Sequence, residues 1–209
     1  MKTALFDFDG VIVDTEPIYD LFWEEAGKRY EVGIDNFVDI IKGTTTPDII
    51  KIYFSNHPEA IQQKVFDECI AYEREMDLPA MPGSLEFLHL LKANQVKMGL
   101  VTSSDQSKIN RAIALHNLQG IFDTIVTSED ITKGKPDPMC YLLAAERIQA
   151  APQECLVFED SFNGIKAGNA AGMRVIGLST TNSAASLKDM VHQVIPDFQD
   201  ITFDDFMKW

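Results

Sequence analysis

The feature that most narrows the fold is a change of grammar near residue 84. From Ser84 onward, short apolar and β-branched runs alternate with amphipathic stretches. Helices are expected over 84–93, 105–115, 137–148 and 163–171, and strands over 97–102, 124–127, 155–159 and 174–178. Strands that read as continuous hydrophobic runs are buried on both faces, and the helices between them supply the crossovers that parallel pairing needs. The tail from Ser186 to Trp209 adds a helix and a short strand at Val194–Ile195.

A first strand over 3–7 has the same character, but residues 17 to 76 separate it from its partners and read only as helices. Pro17 suits the first turn of one of them. Ile18, Phe22, Glu25 and Arg29 fall on one line of that helix, with Leu21 and Ala26 beside it. Asn36 is placed to start a short helix through Ile41 that Gly43 would stop. Thr44-Thr45-Thr46-Pro47 starts another, to about Phe54, and His57-Pro58 separates it from a longer helix over 59–76. Leu78-Pro79-Ala80-Met81-Pro82-Gly83 then punctuates the chain. The expected architecture is α/β: a doubly wound, Rossmann-like parallel sheet core over 1–14 and 81–209, with an α-helical domain inserted over 15–80.

The chemistry sits where these strands end. Strand one delivers Asp7 and, before a turn at Gly10, Asp9, with Asp14 beyond the turn. Another strand ends at Thr102-Ser103-Ser104, a loop carries Lys135, and a further strand ends at Glu159-Asp160. A doubly wound sheet gathers such carboxyl ends at one edge, so these groups are expected to converge. Oxygen ligands from Asp7, the Asp9 carbonyl and Asp160 suit Mg²⁺, which favours one or two carboxylates plus a phosphate. Thr102 could donate to a phosphoryl oxygen, and the amides of Ser103 and Ser104, near a helix start, would favour an anion. An aspartate is also a competent nucleophile at phosphorus.

Composition excludes several alternatives. A formal net charge of −14 opposes a sequence-blind grip on nucleic acid or on an anionic membrane. Asp7 and Asp9 break the N-terminal apolar run, so it lacks a secretory pattern, and no stretch approaches the ~20 apolar residues of a membrane span. Cys69, Cys140 and Cys155 are odd in number and widely spaced. They suggest neither a disulfide framework nor a zinc site, and a reducing cytoplasm is expected. His57, His89, His116 and His192 form no metal constellation. A monomer or weak homo-oligomer is expected.

The segments Asp7-Phe8-Asp9-Gly10-Val11-Ile12-Val13-Asp14-Thr15, Thr102, Gly134-Lys135-Pro136-Asp137-Pro138 and Glu159-Asp160-Ser161-Phe162-Asn163-Gly164-Ile165-Lys166-Ala167-Gly168 resemble the four motifs of the haloacid dehalogenase superfamily. The helical insertion resembles the cap of the branch with β-phosphoglucomutase and small sugar-phosphate phosphatases. The resemblance implies Asp7 as nucleophile and Asp9 as the acid that protonates the leaving oxygen and then the base that activates water. It implies Thr102 and Lys135 as holders of the phosphoryl group, with Asn163 on the phosphate side, and a Mg²⁺ site of Asp7, Asp9, Glu159 and Asp160. Asp14 is read either as part of this site or as a carboxylate satisfying turn amides.

Where the mutase pattern has a histidine and an arginine that serve a sugar bisphosphate, this chain has Tyr19 and Thr46. Without a guanidinium fork for a second phosphate, a Mg²⁺-dependent phosphatase acting on a small sugar or polyol monophosphate is favoured over a phosphomutase. The insertion is expected to close over the substrate and exclude water. Tyr19, Trp23 and Thr46 are candidates to line the substrate side, against the plain reading of core aromatics and a helix start. A receiver-like phospho-acceptor uses similar groups but has no use for Asp9 as a water activator. A dehalogenase has no need of Asp9, Asp160 and Mg²⁺.

Overall fold

The computed structural model describes residues 2–41 and 44–209, so the expected stop at Gly43 lies outside the described residues. Two compact units emerge, one of residues 1–14 with 78–209 and one of residues 15–77.

The larger unit is built on six parallel strands: β1 (Thr3–Phe6), β2 (Lys97–Val101), β3 (Thr124–Val126), β4 (Cys155–Glu159), β5 (Arg174–Leu178) and β6 (Gln193–Ile195). They lie in the order β3-β2-β1-β4-β5-β6, which puts β1 in the middle. β1 is buried throughout, as its Thr-Ala-Leu-Phe sequence allows. Phe6 pairs with Leu100 on one side and Phe158 on the other, so the next residue, Asp7, stands level with Val101 and Glu159. That register is the main positional fact of the molecule, because it sets three strand ends side by side.

Period-two alternation gives the sheet two different faces. Leu5, Val101, Val157 and Val175 pack with Tyr141, Ala144 and Ile148 of α7 (Met139–Ile148) and with Ile165 of α8 (Phe162–Ala170). The opposite face carries rings. Phe6 stacks on Phe158 with centroids 4.7 Å apart, and Phe87 of α5 (Ser84–Ala93) stacks on Phe198 at 5.0 Å. α6 (Gln106–Leu115) follows β2, and Asp105 caps it by accepting from the Lys108 amide at 2.8 Å. α9 (Ala184–Leu187) and α10 (Phe203–Lys208) complete the unit.

The smaller unit contains α1 (Glu16–Arg29), α2 (Phe37–Ile41), α3 (Thr46–Tyr53) and α4 (Glu59–Glu75). Its core is Trp23, Ala26, Phe37, Ile41, Ile49, Ile50, Phe54, Val65 and Cys69. Here two expectations change. The packed face of α1 runs through Tyr19, Phe22, Trp23 and Ala26, an i, i+3, i+4, i+7 stripe that Tyr30 extends just past the helix end, whereas Leu21 is 63% exposed. Trp23, a candidate to line the substrate side, is instead 4% exposed among Phe37, Phe54 and Phe22. Thr45 starts α3, its hydroxyl accepting from the Asp48 amide. Among the described residues no helix is long and apolar enough to cross a membrane.

Leu78, Pro79 and Ala80, counted with the insertion from sequence, group with the larger unit. The Asp14 amide donates to Pro79 O at 2.8 Å, and Val13 forms an antiparallel bridge with Ala80.

Candidate active site

Lys135 is the electrostatic hub. Its side chain is 8% exposed, and its ammonium donates to Asp7 Oδ1 at 2.5 Å, to Glu159 Oε1 at 2.6 Å and to Val101 O at 3.3 Å. Burial works against that charge, but the Asp7 and Glu159 carboxylates outweigh it and raise its pKa. The Tyr141 ring centroid lies 5.2 Å from the ammonium, and the Tyr141 hydroxyl donates to Glu159 Oε1 at 2.9 Å. Burial, and then the Glu159 charge, push the Tyr141 pKa well up, so it stays a donor.

Asp7 experiences the opposite balance. Burial pushes its carboxyl up to about 7, Lys135 resists, and the nearby Glu159 and Asp9 charges add to the rise. A buried carboxylate with a single ammonium contact and acidic neighbours is what a bound cation relieves.

Glu159 is fully buried, and both its oxygens are engaged. Oε1 accepts from Lys135 and Tyr141, while Oε2 accepts from the Asp160 and Ser161 amides and the Ser161 hydroxyl, each at 3.1 Å. Gly164, in the first turn of α8, makes room for it: a Cβ there would fall 1.7 Å from Glu159 Oε1. Asp160 receives the Thr181 hydroxyl on Oδ2 and the Asn182 amide on its carbonyl at 3.0 Å. Gly10, with φ +74°, passes so close that a Cβ would lie 2.1 Å from Asp160 Oδ2. The Thr180 hydroxyl holds the Gly10 carbonyl at 2.6 Å.

Ligand oxygens of Asp7, Glu159 and Asp160 lie within 4.8 Å of one another. This all-oxygen set suits a hard divalent cation. With Asp9 there are four carboxylates facing two buried ammonium groups, those of Lys135 and Lys108. When all are ionised two negative charges remain, which a divalent ion would balance.

Asp9 is held separately. Lys108 Nζ meets its Oδ1 at 2.7 Å, and Ser104 Oγ donates to its Oδ2 at 2.8 Å. Thr102, buried one residue beyond β2, accepts the Ser104 amide on Oγ1 at 3.0 Å. That differs from expectation: the Ser104 amide closes a local turn on Thr102 and its hydroxyl is engaged by the Asp9 carboxyl. Ser103 is exposed, and Asn163 is half-buried in the first turn of α8. Asp14 contributes its backbone amide to the Pro79 contact.

The structure thus brings Asp7, Asp9, Thr102, Ser104, Lys135, Glu159 and Asp160 together at one sheet edge. Tyr19 and Thr46 belong to the helical unit, where the Tyr19 hydroxyl donates to Glu73 Oε1 at 2.8 Å and Thr46 Oγ1 lies 3.6 Å from Cys69 Sγ.

Four residues of the site went unrecognised in the sequence: Lys108, Tyr141, Thr181 and Asn182. Lys108 did carry a signal, because it shares a helix face with Ile109 and Ala112. Tyr141 also lies on an apolar face, but Thr181 and Asn182 follow β5 in a loop with no readable pattern.

Comparison with known proteins settles the family. A family model described as haloacid dehalogenase-like hydrolase matches residues 4–178. The chain belongs to that family. Among curated haloacid dehalogenase-like relatives, validoxylamine A 7'-phosphate phosphatase of Streptomyces hygroscopicus subsp. limoneus is 30% identical over 192 residues, covering 90% of each chain. Hexitol phosphatase A of Escherichia coli is 30% identical over 205 residues, covering 96% of this chain and 93% of the relative. Among solved structures, a family IA, variant 3 hydrolase of this class from Entamoeba histolytica aligns with a TM-score of 0.86 at 24% identity, covering 100% of this chain and 98% of its own. That last likeness speaks for the fold.

Proposed function

We propose that this hydrolase is a Mg²⁺-dependent phosphatase that cleaves a small phosphorylated metabolite, a sugar or polyol monophosphate, through an aspartyl phosphate on Asp7. The observation that carries the proposal is the division of labour between two aspartates two residues apart. Asp7 faces Lys135 and the Asp160 side of the site, whereas Asp9 is held on its own pair of donors. The names of the curated relatives support a phosphate ester as substrate.

In this reading an Asp7 oxygen attacks phosphorus, and Asp9 gives its proton to the departing alkoxide. Asp9, now a carboxylate, takes a proton from the water that attacks the phosphorylated Asp7, which returns inorganic phosphate and free Asp7. Lys135 and the Thr102 hydroxyl hold the phosphoryl oxygens, and each well-aimed donor is worth about 3 kcal/mol in such a transition state. Asp7, the Asp9 carbonyl and Asp160 would hold Mg²⁺, with the saturated Glu159 acting behind them as counter-charge and anchor for Lys135. When bound, the metal neutralises charge on the transferring phosphoryl group.

Thr46 offers a hydroxyl and Tyr19 a phenol, so at these two positions no cationic fork serves a second phosphate, and hydrolysis is preferred to mutase action. Cys69, Cys140 and Cys155 are buried and none is in a disulfide, in keeping with a reducing cytoplasm.

A panel of phosphate monoesters and pyrophosphate, assayed with Mg²⁺ and with EDTA, tests the reading. Metal-dependent release of phosphate from sugar or polyol monophosphates is expected, and Asp7→Asn should abolish it. Full activity in the Asp7→Asn variant would overturn the mechanism, and a flat panel would overturn the substrate class.

A further inference from the structure

Lys108 is the least expected residue of the larger unit. A lysine is seldom buried without a partner, yet its side chain is only 3% exposed. Its ammonium lies 5.8 Å from the Phe8 ring centroid and ends on Asp9 Oδ1 at 2.7 Å. Ser104, four residues earlier, reaches the other Asp9 oxygen at 2.8 Å. Ser104 is itself fixed at both ends: its amide donates to Thr102 Oγ1 at 3.0 Å, and its carbonyl accepts the Ser128 amide at 3.2 Å. The Asp9 carboxyl is therefore gripped on both oxygens by the segment that starts α6. Lys135 is occupied with Asp7 and Glu159.

We propose that Lys108 is a positioning residue which, with Ser104, fixes the orientation of the Asp9 carboxyl for its two proton transfers. The inference rests on the phosphatase reading above and deepens it. An ammonium can donate to Oδ1 whether the carboxyl is neutral or ionised, so the same contact serves both half-reactions.

An aryl ester separates the two. With p-nitrophenyl phosphate, Asp7 forms the new P–O bond while the bond to nitrophenolate breaks, and that leaving group needs no proton from Asp9. Breakdown of the phosphorylated Asp7 still needs Asp9: water forms a P–O bond, its proton goes to Asp9, and the bond to Asp7 breaks. Loss of Lys108 should therefore slow the second step and spare the first.

The test is stopped-flow assay of the Mg²⁺-loaded full chain with p-nitrophenyl phosphate, beside steady-state turnover of sorbitol 6-phosphate. Lys108→Met is expected to release about one equivalent of nitrophenolate in a fast burst and then to turn over roughly ten- to a hundredfold more slowly than the parent, the range a misplaced catalytic group produces. KM should stay within about twofold, and Lys108→Arg should recover part of the rate. Ser104→Ala, which keeps the buried ammonium, should show a smaller slowing of the same kind and serves if Lys108→Met fails to fold.

Unchanged steady-state turnover in Lys108→Met would overturn the inference, and so would a parallel fall of burst and steady-state rates, which a merely structural role predicts. Asp7→Asn and Asp9→Asn keep the levels distinct. If Asp7→Asn is dead and Asp9→Asn stalls after the burst, a silent Lys108→Met refutes only the positioning role. Turnover in Asp7→Asn refutes the parent reading instead.

Discussion

Replacing Asp7, the proposed nucleophile, should stabilise the metal-free protein, and the amount should depend on pH in a defined window. Asp7 has a folded-state pKa pushed up to about 7 by burial, against an ordinary carboxylate value of 3.8. The unfolded chain therefore loses this proton first. Between about pH 4 and 7 the fold binds the extra proton, so wild-type stability falls as pH rises and levels off above pH 7. At ~1.4 kcal/mol per pH unit, the full effect is about 4 kcal/mol.

Asp7→Asn removes the titration and keeps the shape. Its stability advantage over wild type in EDTA should grow by up to ~4 kcal/mol between pH 4 and 8. The attraction of Lys135 titrates with Asp7 and is already contained in its raised pKa, so the remaining offset is the difference between an amide and a neutral carboxyl at this position, constant across the window. Urea unfolding followed by Trp209 fluorescence, in a Trp23→Phe background so that only the larger unit reports, measures the difference. Adding Mg²⁺ should shrink it, by about 2.7 kcal/mol at a hundred times the dissociation constant. A stability difference that stays flat from pH 4 to 8 in EDTA would refute the reasoning.

Further predictions follow from the same contacts. Gly10→Ala places a Cβ 2.1 Å from Asp160 Oδ2 on a backbone at φ +74°, and the activation constant for Mg²⁺ should rise at least about tenfold in a metal titration of activity. Lys135→Met leaves Asp7 and Glu159 buried without their shared ammonium, so urea unfolding should show a loss of about 3–5 kcal/mol; phosphatase activity should fall about a thousandfold. Tyr141→Phe removes one donor from Glu159 Oε1 and should cost about 1–3 kcal/mol in the same unfolding assay.

The strand ends were legible because two independent patterns met there. Apolar runs fixed where each strand stopped, and Asp7, Thr102 and Asp160 fell just past those stops. Parallel register then did the rest, aligning Phe6 with Leu100 and Phe158. Helix faces were less legible. In α1, Leu21 looked apolar enough to pack, but aromatic neighbours claimed the stripe through Trp23 and Ala26. A short amphipathic helix offers several plausible faces, and only the surrounding helices choose among them.

Partnership was harder still. Lys108 follows an aspartate cap and shares a face with Ile109 and Ala112, but its partner is set only where the turn after β1 brings Asp9 against it. Ser104 was read as an anion binder because a helix start usually exposes its amides. Thr102, two residues earlier, accepts that amide instead. Thr181 contacts Asp160 from a loop after β5. Such pairings are products of tertiary proximity, and residue type alone does not encode them.

The pinch where the chain leaves and re-enters the sheet carries a last consequence. Val13 and Asp14 are paired to Ala80 and Pro79, so for the larger unit the whole stretch 15–77 is an excursion whose two ends are already tied together. Loop-closure entropy grows only logarithmically, at about 0.6 kcal/mol for each doubling of length. The excursion can therefore be lengthened, shortened or exchanged at little cost to the sheet that holds Asp7. Diversification of such a protein can proceed by rewriting residues 15–77 while the strand-end carboxylates stay as they are.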